Sequence, residues 1–146
     1  MRGRIFIAGF ALLVLVLGLA SASVAGGERF MVIVHPDNRI NTISRDFLRN
    51  AYLKKSVEWS GGGTIRPVDL ASKIPVRDQF THDVLKKTPA QLKTYWNQQI
   101  FSGKGVPPPE AATVAAAIAY VLANPGAVGY LPADADPGKA KVVRIK

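Results

Sequence analysis

The sequence contains no cysteine. Disulfides, thiolate catalysis and cysteine-ligated zinc are therefore excluded, and so is a lipid-modified cysteine at an export cleavage site. Histidine is scarce: the two present are His35 and His82. A metal site needs three or more converging ligands, and nothing in the spacing of His35, Asp37 and His82 brings them together. Concentrated blocks of positive charge are missing as well. Lys and Arg number 19 against 10 acidic residues, a net charge of +9, yet the basic residues are dispersed. Without a basic run or an aromatic–basic alternation to stack bases, nucleic acid is not the expected partner. No nucleophile stands in a characteristic setting. His82 near Asp78 and Asp83 is half of an acid–base system, so a small hydrolase is the weaker alternative. We expect no enzyme activity, no cofactor and no metal.

A long membrane-spanning run is also lacking. Ile5 to Leu19 is almost wholly apolar but falls short of the ~20 residues a span needs. Arg2 and Arg4 precede it. Ala20-Ser-Ala22 and Ser23-Val-Ala25 follow it with small residues at alternate positions. This is the layout of a cleaved signal peptide, expected at residues 1–25, with cleavage after Ala25 or alternatively after Ala22. Loss of Arg2 and Arg4 lowers the balance from +9 to +7. The expected location is periplasmic or secreted, with residues 26–146 forming one domain.

What remains alternates strand and helix. Arg29 to Val34 is a continuous apolar run suited to a buried strand, and His35-Pro-Asp-Asn38 ends it with turn residues. Thr42 and Ser44 are both candidate caps for a helix with Ile43, Phe47, Leu48, Ala51 and Tyr52 on its apolar face. The triple glycine Gly61–Gly63 follows Trp59, which reads as a core plug beneath the loop. The glycines lack the Lys-Ser/Thr of a phosphate-cradling loop and precede a strand. Thr88-Pro-Ala-Gln91 is a capping box opening a helix with Leu92, Tyr95, Trp96 and Ile100 buried. A proline-rich loop leads to an alanine-rich helix over 110–124. Strands follow at Ala127 to Leu131 and Val142 to Ile145, the last at an edge. Gly129 marks a close backbone approach. The expected class is α/β, a small mixed sheet flanked by helices.

Thr64 to Phe80 joins these parts. Ile65, Val68 and Leu70 read as a short buried strand. Ser72 is a candidate N-cap, Pro75 suits a first helical turn and Arg77 lies one turn inside. The helix is expected to reach Lys87. A hydroxyl, a Lys and an Arg at a helix N-terminus form a candidate anion cradle. The competing reading is an ordinary capped joint with solvated basic residues. Asp69, at the strand end, and Arg77 are the better-placed polar pair.

The order of these features resembles the phosphate-receptor family of the type 2 periplasmic binding fold, the PstS-like substrate-binding proteins of ABC transporters. The pieces that match are Val32 to Asn38, Ile43 to Leu48, Ala51 to Lys55, Trp59 with its glycines, and Ile65 to Asp69. The Ser72–Arg77 loop, Phe80 and Leu85, Tyr95-Trp96, Ile100 to Gly103 and Pro125 to Tyr130 complete them. The resemblance implies one lobe of a two-lobed receptor, binding phosphate or a similar oxyanion in transport or sensing. It carries the ligand role to Ser72, Lys73 and Arg77. Two departures stand out: the loop at Leu70 to Pro75 has no glycine, and Lys54 stands where receptors often carry glycine. An interaction module that has lost its ligand, covered by a periplasmic or membrane protein or by self-association, is the alternative.

Overall fold

The computed structural model describes residues 29–146, so the expected signal peptide lies outside the described residues. A five-stranded sheet runs in the order β2-β7-β1-β6-β3. Its strands are β1 (Phe30–Val34), β2 (Thr42–Ile43), β3 (Arg66–Pro67), β6 (Ala127–Pro132) and β7 (Lys141–Ile145). Strand β1 pairs antiparallel with both β6 and β7. Strands β2 and β3 pair parallel with β7 and β6 respectively. The apolar run of β1 is explained by this central place: Val32, Ile33 and Val34 are all buried, so neither face of the strand meets water. A second sheet pairs β4 (Asp69–Leu70) with β5 (Glu110–Ala111) in parallel.

Several elements depart from the sequence expectation. Thr42 and Ile43 form β2 rather than the start of a helix, and Ser44 caps α1 (Arg45–Tyr52), accepting from the Phe47 N–H at 3.1 Å. The strand at Ile65–Leu70 divides at Val68: β3 follows β6, whereas β4 turns to β5. Helix α2 (Val76–Asp83) starts without Ser72. Pro75 holds the N-cap position with no side-chain cap. It ends at Asp83 rather than Lys87, and Lys86 has a φ of 55°. Helix α4 (Val114–Ala123) is capped by Thr113, and Glu110, expected in that helix, belongs to β5. Strand β7 lies inside the sheet, not at its edge, because β2 folds alongside it. Ile100 of α3 (Pro89–Phe101), expected in the core, is 50% exposed. The α3 capping box forms with both hydrogen bonds, Thr88 N–H to Gln91 at 2.9 Å and Gln91 N–H to Thr88 at 3.2 Å.

Aromatic packing ties α1 and α2 to the sheet. Phe80 of α2 stacks on Tyr130 of β6 with ring centroids 3.8 Å apart, and meets Tyr52 of α1 edge-on at 4.8 Å. The Tyr52 hydroxyl donates to the Val68 carbonyl at 2.8 Å, holding α1 over the switch between β3 and β4. Trp59 plugs the loop beneath it as expected: it is buried and its Nε1–H donates to the Gly126 carbonyl at 3.0 Å. A Cβ at Gly129 would lie 3.2 Å from Val121 of α4 and 3.1 Å from Val68, so the glycine lets helix and sheet approach.

Candidate ligand site

The parallel register of the small sheet sets Asp69 beside Glu110. Three prolines precede Glu110, and lacking N–H groups they contribute carbonyls only. Pro109 accepts from the Asp69 N–H at 2.9 Å. Arg77, in the first turn of α2, points back at both carboxylates. Its Nη2 lies 3.1 Å from Asp69 Oδ2 and 3.1 Å from Glu110 Oε1. The other oxygen of Asp69 accepts from the Leu70 N–H at 2.8 Å and from the Tyr130 hydroxyl in a short contact. Asp69 is buried with both oxygens engaged, as a buried carboxylate must be.

Burial dominates the protonation of this group. It raises the Asp69 pKa above the ordinary value, and Glu110 adds to the rise, while Tyr130 and Arg77 hold it down without cancelling it. Burial also works against the Arg77 charge, but Asp69 and Glu110 outweigh it and raise the pKa, so the guanidinium stays charged. The Tyr130 hydroxyl is pushed far up by burial and by Asp69. It is a hydrogen-bond donor at any working pH.

A pocket of about 350 Å³ opens beside this cluster, between α2, α3 and the prolines before β5. Ser72 and Arg77 line it together, with Lys93, Asp78, Asp69 and Glu110. Lys73 is exposed on the turn between β4 and α2 and is not part of the lining. The lining carries two cationic and three anionic side chains. It therefore offers acceptors as well as donors, and Arg77 meets any ligand already paired on one side. Glu110, Lys93 and Tyr130 were not singled out from the sequence. Only the β4–β5 register and the fold of α3 bring the first two here, and no local pattern reports either. His35 and His82 stay in local contacts. The His35 Nδ1 accepts from the Asp37 N–H at 3.1 Å, and His82 pairs with Asp83 at 3.0 Å on the surface.

Solved structures share this architecture. An ABC-type phosphate transport receptor from Vibrio cholerae matches with a TM-score of 0.64 and 15% identity, over 80% of this chain and 45% of the receptor. PstS from Borrelia burgdorferi matches with a TM-score of 0.62 and 11% identity, over 80% of this chain and 47% of the other. A protein from Clostridium perfringens, solved with bound phosphate, matches with a TM-score of 0.62 and 18% identity, over 80% and 44%. The chain has the fold of a phosphate-receptor lobe. It spans less than half the length of each of these proteins. Neither a protein-family model nor a curated protein matches it by sequence. Within the phosphate-receptor-lobe fold, Lys54 has a φ of 55°. This backbone conformation is the one glycine takes freely. Among the described residues no helix is long and apolar enough to cross a membrane.

Proposed function

We propose that this protein is an exported, non-enzymatic solute-binding domain whose ligand is phosphate or a similar small oxyanion, working in transport or sensing. One observation carries the reading: Ser72 and Arg77, separated by a turn in sequence, line one pocket of a phosphate-receptor-like fold. Asp69 and Glu110 orient the guanidinium through Nη2, which leaves its Nη1 hydrogens for the anion in a charge-assisted bond. Ser72 adds a hydroxyl. Lys73 contributes positive potential from the turn rather than a contact. The exposed Glu110 carboxylate favours an anion that carries a proton, since it accepts a hydrogen bond from HPO₄²⁻ and repels fully ionised sulfate. Calorimetry with phosphate and sulfate on the purified protein tests this. We expect phosphate to bind more tightly than sulfate, Arg77→Ala to lose the binding at this pocket, and Glu110→Gln to lose the preference. Absence of heat at millimolar ligand, or full binding by Arg77→Ala, overturns the site.

A second reading has its own observation. Phe101 is 92% exposed at the end of α3, with Ile100 at 50% and Val106 at 58%, and Ile100 lines the same pocket. Such a patch fits an interaction module covered by another protein or by a second copy. Sedimentation of wild type and Phe101→Ser decides it: a concentration-dependent dimer lost in the variant, with no anion response, favours this reading. A monomer at all concentrations argues against self-association.

A further inference from the structure

A second pocket lies elsewhere. It has a volume of about 490 Å³ and is framed by the loop after β1, the glycine loop before β3 and the turn between α4 and β6. It sits at the Thr64–Arg66 end of the β3–β4 segment, whereas the Ser72–Arg77 pocket sits at the Asp69 end. Two guanidinium groups line it, Arg39 from the first loop and Arg66 from β3. Unlike Arg77, neither has an ion-pair or hydrogen-bond partner among the described residues. Asp37 is the single carboxylate in the lining, so the pocket carries a net positive charge, opposite in sign to the other one.

The glycine loop Gly61–Gly63 lines the same pocket as these guanidinium groups. Gly62 and Gly63 both have a φ of 92°, and a Cβ on any of Gly61, Gly62 and Gly63 would meet nothing within 4 Å. The glycines are thus not there to avoid a clash inside the protein. Their backbone bends freely and lies open to the pocket. The loop closes on itself through Gly62 N–H to the Trp59 carbonyl and Trp59 N–H to the Gly63 carbonyl, each 2.9 Å. The N–H groups of Gly61 and Gly63 make no backbone hydrogen bond among the described residues. Trp59 anchors the loop from below through its bond to Gly126. Unpaired guanidinium groups beside bare backbone donors in a concave, positive setting bind oxyanions.

We propose that this pocket is a second oxyanion site, in which Arg39 and Arg66 pair with a phosphate-type dianion while the N–H groups of Gly61 and Gly63 donate to it. It stands independently of the Ser72–Arg77 reading. The test is an amide-resolved NMR titration of the purified protein with inorganic phosphate, sulfate and acetate. Phosphate is expected to shift the amides of Gly61–Gly63 and the Trp59 Nε1–H. Acetate, singly charged, should bind at least about tenfold more weakly. The R39Q/R66Q double variant should weaken phosphate at these reporters about tenfold or more, equal to at least ~1.4 kcal/mol, whereas R77Q should leave them unchanged. Unchanged titration in R39Q/R66Q overturns the proposal, as does a wild type whose glycine-loop amides stay still at millimolar phosphate. Shifts confined to Ser72 and Arg77 would support the other pocket and overturn this one.

Discussion

At the scale of single residues, Asp69 and Gly126 carry the most consequence. Asp69 is a buried carboxyl whose pKa lies above the ordinary 3.8, with burial as the leading cause. A carboxyl with a higher pKa in the folded than in the unfolded chain binds its proton more tightly when folded. Its contribution to stability is greatest below pH 3.8 and falls as pH rises from there through the folded-state value. Carbon-detected titration of the Asp69 carboxyl should show the upward displacement. Arg77→Gln should move it further up, since the guanidinium is one of the groups that hold it down. A value at or below 3.8 in the wild type would contradict the burial argument. Gly126 is a packing requirement of another kind. A Cβ there would lie 2.0 Å from the Thr64 carbonyl oxygen, and Arg66 N–H bonds to the Gly126 carbonyl at 2.9 Å. Because backbone stands on both sides, no side chain can swing away. Gly126→Ala should cost at least about 2 kcal/mol in urea unfolding.

At the scale of elements, the ends of α1 and α3 show how local chemistry and backbone strain divide. The Thr88 capping box was legible because both partners sit within four residues and their chemistry is specific. The apolar face of α1 was legible from its three- and four-residue spacing, but the backbone cost of ending the helix was not. Lys54 adopts a φ of 55° after the helix, a region where a side chain is disfavoured. Lys54→Gly should therefore be neutral to stabilising by roughly 0.5 kcal/mol, the relief of strain exceeding the added freedom of the unfolded chain. Thermal melts would show it. The sheet edges were not legible. A two-residue strand such as β2, β3, β4 or β5 has no periodicity to detect. Its existence depends on which distant backbone lies alongside. The reassignments of Ile43 from helix to β2, Glu110 from helix to β5, and β7 from edge to interior all follow from that one cause.

At the scale of the whole molecule, the two pockets lie at opposite ends of one β3–β4 segment and differ in the sign of their lining charge. An extended chain from Arg66 to Asp69 covers only about 10 Å, so the contrast arises from what surrounds the segment. The apolar patch around Phe101 is separate from both the core and the stability it provides. Phe101 is 92% exposed, so Phe101→Ser should change the melting free energy by less than about 0.5 kcal/mol. A larger loss would mean that the residue is buried in solution by another chain.

The sequence by itself determined the alternation of strands and helices, the burial of the strand in the Arg29–Val34 run, Trp59 as a plug, and the close approach at Gly129. These depend on side-chain polarity, volume and backbone freedom, which each residue carries wherever it goes. It also brought Ser72, Lys73 and Arg77 forward as candidates. Only the tertiary structure decided that Ser72 and Arg77 share a pocket while Lys73 stands outside it, and that Arg77 is already held by Asp69 and Glu110. Asp69 and Glu110 are 41 positions apart, and no local pattern records which strands will lie in register. The charge of a site is the sum of groups that folding brings together, so it can be read only after the chain has closed on itself.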